Sequence, residues 1–114
     1  MIGSAVVLFL LAAMGGLYMA TRIFKGAFPP VLVAVGHGGL AATGLVLAIL
    51  AAMSPAAAPL VKYGAGILFL AAMGGFFLLS FHLRKAPHPK AVVVIHALVA
   101  VAGVACLALT LLQA

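Results

Sequence analysis

The 114-residue sequence contains no aspartate, no glutamate and no tryptophan, has one cysteine, and is charged at only 5% of its positions. Without carboxylates there is no paired-acid hydrolysis, no Ser-His-Asp triad, no carboxylate metal cage and no proton relay through Asp or Glu. Catalysis by protein side chains alone is therefore not expected. Cys106 has no partner, which excludes an internal disulfide and a Cys-based zinc site, and it reads as a small core side chain.

What the chain does have is apolar surface. Hydrophobic residues make up 68% of it, far more than a water-soluble domain carries. A bilayer core about 30 Å thick takes roughly 20 apolar residues per helix, so this length holds about four passes. The expected fold class is all-α, an integral membrane four-helix bundle forming a single transmembrane domain over 1–114. Apolar runs predict helices over about 2–24, 30–53, 60–82 and 90–113, separated by Lys25-Gly26 and Pro29-Pro30, by Ser54-Pro55 and Pro59, and by Pro87-His88-Pro89. The first run lacks the basic flank of a secretory signal, and its counterpart in mid-chain cannot be cleaved, so both are expected to be mature helices.

The formal charge of +6 lies in short connections and not on one extended face, which argues against nucleic acid. Arg22 and Lys25 follow the first run, and Arg84, Lys85 and Lys90 follow the third; Lys62 alone marks the other side. The positive-inside bias then puts loops 25–29 and 83–90 in the cytoplasm and both termini outside, with a bacterial inner membrane as the expected location.

A shift of 59 residues aligns 1–55 with 60–114 without a gap, and 14 of the 55 pairs are identical. Leu11-Ala12-Ala13-Met14-Gly15-Gly16 returns as Leu70-Ala71-Ala72-Met73-Gly74-Gly75, and Pro30, Val33, His37, Ala41 and Gly44 fall on Pro89, Val92, His96, Ala100 and Gly103. The expected architecture is two tandem parallel helical hairpins, repeat 1 over 1–55 and repeat 2 over 60–114, about a pseudo-two-fold along the membrane normal.

Val33, His37, Ala41 and Gly44 share one stripe of the second predicted helix, and Val92, His96, Ala100 and Gly103 share the same stripe of the fourth. The two histidines are thus expected at equal depth, about 10 Å inside Pro30 and Pro89, facing each other. At that depth an ionisable group needs a partner, and no carboxylate exists to provide one. Neutral imidazole ligates iron, and opposed histidines from facing helices hold a haem by both axial positions. Gly15, Gly16, Gly74, Gly75 and Gly36, with Ala41, Gly44, Ala100 and Gly103, are expected to leave the groove in which the haem packs, although small-residue helix packing accounts for glycines as well. Lys25, His82, Arg84, Lys85 and His88 are candidates for the haem propionates or, more simply, interfacial residues. Met14 and Met73 read as core filler and not as ligands.

On these residues the chain resembles the four-helix membrane cytochromes b, including cytochrome b561-type proteins and the haem-bearing subunits of respiratory enzymes. The resemblance rests on His37 and His96 with their glycine-rich partner helices. It implies one-electron relay between a quinone or soluble donor and a partner protein in a larger redox complex. The b561 pattern uses two histidine pairs, whereas one deep pair is present here, so a single haem b is implied. The missing Cys-x-x-Cys-His rules out covalent attachment. The alternatives are a cofactor-free accessory subunit of a respiratory or photosynthetic complex, its histidines bonded to backbone or to each other, and, further off, a small transporter, which lacks a deep carboxylate.

Overall fold

The computed structural model describes residues 1–113 and contains four helices: α1 Ile2–Phe24, α2 Val31–Ala52, α3 Pro59–Leu83 and α4 Lys90–Leu112. Each is 22 to 25 residues long and apolar enough to cross a membrane. Their outer faces carry exposed apolar side chains such as Leu32, Leu83 and Leu112, surface that only a lipid environment tolerates on this scale. The protein is an all-α integral membrane bundle.

Proline sets the helix starts. Pro30 and Pro89 precede α2 and α4 in extended conformation, and Pro59 opens α3 at a position where the missing N–H has no intrahelical partner to lose. This is why α2 begins one residue later, and α3 one residue earlier, than the apolar runs alone suggest. α1 and α3 end in the same turn. Ala27 N–H reaches Arg22 O (2.8 Å) with Gly26 at φ +79°, and Ala86 N–H reaches Phe81 O (2.9 Å) with Lys85 at φ +55°.

The helices form an antiparallel square. α1 packs against α2 and α4, α3 packs against α4 and α2, and the backbones of the diagonal pairs stay apart. The α1–α2 and α3–α4 hairpins are the tightest units. The fully packed core lies toward the end remote from the basic loops, where Ala5, Val6, Phe9, Ala48, Val61, Ala65, Leu68 and Leu107 cluster. Gly44 lies against the Phe9 ring and Gly103 against Leu68, partners related by the same 59-residue offset.

Glycine matters unequally along these helices. A Cβ on residue 103 would lie 2.5 Å from Leu68 Cγ and 3.2 Å from Leu68 N, whereas one on residue 36 meets open space. Gly103→Ala is expected to lose about 1–3 kcal/mol through overpacking. Gly36→Ala is expected to be neutral or to gain up to about 1 kcal/mol from helix propensity. Reversible unfolding in mixed micelles checks the pair; equal stability of the two variants would contradict this packing.

Candidate functional site between the opposed histidines

His37 on α2 reaches back across its own hairpin, and its Nδ1–H donates to the Ala12 carbonyl of α1 at 2.7 Å. His96 on α4 makes the same bond to the Ala71 carbonyl of α3 at 2.8 Å. Both bonds span 25 residues, and both partners differ by 59. A carbonyl only accepts, so each Nδ1 carries the proton and each Nε2 keeps its lone pair.

Glycine makes this reach possible. A Cβ on residue 16 would sit 2.9 Å from His37 Cε1 and 3.2 Å from Nδ1, and one on residue 75 would sit 3.3 Å from His96 Cε1. A Cβ on residue 15 would lie 3.6 Å from Val33 Cγ1 and from the His37 Cβ, and one on residue 74 would lie 3.5 Å from His96 Nδ1. The two glycine pairs therefore seat the imidazoles of their own hairpins and let each ring lie against helix backbone.

The rings then meet across the α2–α4 diagonal with centroids 6.2 Å apart and planes at 75°. Neither Nε2 has a hydrogen-bond partner, yet neither is sealed in the protein, since every fully buried side-chain nitrogen or oxygen among the described residues is satisfied. Two unpartnered lone pairs thus look onto reachable space.

The spacing of the two rings is compatible with one haem iron shared between them. Metal–imidazole bonds of roughly 2 Å, with the ring radius added on each side, put the ring centres about 6 Å apart. The hydrogen bond from the far nitrogen to a backbone carbonyl is the support that ligating histidines carry. Among the described residues no group of three or more histidines or cysteines converges. A bare zinc or copper site therefore lacks ligands, while a porphyrin brings four of its own.

The remaining expected haem-packing residues are placed differently. Gly36 is exposed on the outer face of α2, one residue before His37 and so turned away from the ring. Gly44 and Gly103 are taken up by Phe9 and Leu68, about two turns further along. Ala41, packed at the edge of the core, and Ala100 are half-buried. Met14 and Met73 are exposed, which suits lipid contact and not ligation.

The five propionate or interface candidates separate in the same way. His82 and Lys85 line a cavity of about 510 Å³ with Phe28, Pro29, Pro30, Val31 and Leu83. His88 joins His82 around Phe28, whose ring lies 4.8 Å from His82 and 5.4 Å from His88. Arg84 is occupied over the Phe81 ring at 4.5 Å and at the Ser80 carbonyl. Lys25 is exposed at the end of α1. Sequence reasoning missed Phe28, which bridges the two hairpins while Arg22 holds its carbonyl at 3.1 Å, because a lone loop phenylalanine carries no pattern.

Comparison of the chain with protein-family models, with curated proteins and with solved structures gives no match.

Two outcomes follow from this geometry. Gly16→Ala is expected to push the His37 ring off Ala12 and to shift its Nδ1 resonance in ¹⁵N-histidine-labelled protein, with a smaller shift of the His96 resonance in Gly75→Ala. An unmoved His37 signal would contradict the seat. Burial, and secondarily the neighbouring His82, lowers the His88 pKa from 6.5, so folding favours the neutral ring. The unfolded loop then binds more protons, and stability present above pH 6.5 is lost as pH falls below it toward the folded value. Amide protection at 26–28 and 84–86, taken against the intrinsic exchange rate at each pH, is expected to fall between about pH 7.5 and about pH 5.5, less so in His88→Gln.

Proposed function

We propose that this chain is a b-type membrane cytochrome that holds one non-covalent haem b between His37 and His96 and relays single electrons. The observation that carries the reading is the pair of opposed imidazoles, each fixed at Nδ1 by a carbonyl, with both Nε2 atoms unpartnered and the ring centres 6.2 Å apart. A haem held there supplies a one-electron Fe(III)/Fe(II) couple.

The chain's residues do the rest. His37 and His96 would hold the iron through their Nε2 atoms. The Ala12 and Ala71 carbonyls hold each ring in one tautomer and strengthen it as a ligand. The apolar helices around the rings lower the local dielectric and so tune the potential. The basic loops orient the bundle with its termini outside, and other redox subunits or quinone act as donor and acceptor, which suits a subunit of a larger complex.

A second reading has one observation in its favour. The same Nδ1–carbonyl bonds partly satisfy the imidazoles without any guest, as a cofactor-free accessory subunit requires.

Absorption spectra of protein purified from haem-replete cells, oxidised and then reduced with dithionite, separate the two. The expected result is a bis-imidazole low-spin spectrum with one haem per chain, abolished by His37→Ala or His96→Ala. Folded but colourless wild-type protein would reject the cytochrome and leave the accessory subunit.

A further inference from the structure

Lys85 is the one non-glycine residue with positive φ among the described residues. It stands where repeat 1 has Gly26, in a turn closed by the same backbone hydrogen bonds, so the glycine that suits this left-handed backbone is replaced by a β-carbon-bearing cation. A strained backbone position persists where something else holds it, and such positions gather at ligand sites. Lys85 also lines the cavity of about 510 Å³ with His82, Leu83, Phe28 and the Pro29-Pro30 pair.

Charge is the second, independent observation. Arg22, Lys25, Arg84, Lys85 and Lys90 gather at this end of the bundle, and the chain has no carboxylate with which to neutralise them. The cavity lies at the ends of the apolar helices α2 and α3, where a spanning bundle meets lipid headgroups, and its lining combines apolar Phe28, Val31 and Leu83 with polar Lys85 and His82. A phosphate joined to acyl chains matches both parts of this lining.

We propose that this cavity holds the headgroup of one anionic phospholipid, with Lys85 and His82 facing its phosphate and the proline-walled apolar side taking its acyl stem. The assignment is independent of any haem between His37 and His96. The lipid clamps the loop between α1 and α2 to the end of α3, adding to the Phe28 bridge between the hairpins.

The test is native mass spectrometry of the full chain released from zwitterionic detergent micelles, titrated with phosphatidylglycerol or phosphatidylcholine. Wild type is expected to retain one phosphatidylglycerol with at least roughly fivefold preference over phosphatidylcholine, the scale of one basic residue at a membrane surface. Lys85→Gly is expected to abolish the preference while its Tm in phosphatidylcholine stays level or rises, since glycine suits the turn. Lys85→Asn, which also tolerates this backbone, replaces it if the glycine variant does not fold. Lys85→Arg should keep the preference, as should Lys62→Gln at the opposite end. Millimolar inorganic phosphate should not displace the lipid. No preference in wild type, an undiminished one in Lys85→Gly, or displacement by phosphate alone would overturn the proposal.

Discussion

A polar ring at hydrocarbon depth must find its partners inside the protein, and this chain answers the Nδ1–H of each imidazole with backbone alone. Leaving such a group unsatisfied costs several kcal/mol, and no acidic side chain is available to answer it. Each imidazole donates to a helix carbonyl, which requires the two helices of a hairpin to approach until a ring touches backbone. Glycine is the residue that permits this approach, and Gly16 and Gly75 lie where the rings arrive. The pairing of α1 with α2, the pairing of α3 with α4 and the orientation of both histidines follow from one kind of contact used twice.

The bundle divides its length between two tasks. One half, toward the connection between α2 and α3, is filled by small and branched apolar side chains with Phe9 and Leu68 set over glycines. The other half carries the histidines, the aromatic contacts of Phe28 and every cation except Lys62. Close packing in the first half fixes the helices, and that rigidity holds two rings at a set distance in the second.

Much of this was legible in the sequence, for identifiable reasons. Apolar runs bounded by proline located every helix end to within a residue, since bilayer thickness leaves little choice of length. The facing of His37 and His96 could be read from their spacing on helices and from the 59-residue offset. The carbonyls of Ala12 and Ala71 could not, because a backbone acceptor has no residue-type signature. The glycines were legible as close-approach positions, but not as seats for rings of their own hairpins. Gly36 misled because adjacency in sequence is not adjacency on a helix face. The alignment of Lys85 with Gly26 was visible, yet its meaning depends on the sign of φ, which only coordinates supply.

The central claim is that two imidazoles, one from each hairpin, grip one iron with ring planes near perpendicular. Low-temperature electron paramagnetic resonance of the oxidised, purified chain tests it most directly. With the rings at 75°, the proposal predicts a strongly anisotropic low-spin ferric signal that accounts for one haem per chain. A high-spin signal, or folded protein from haem-replete cells with no ferric haem signal, would contradict the account.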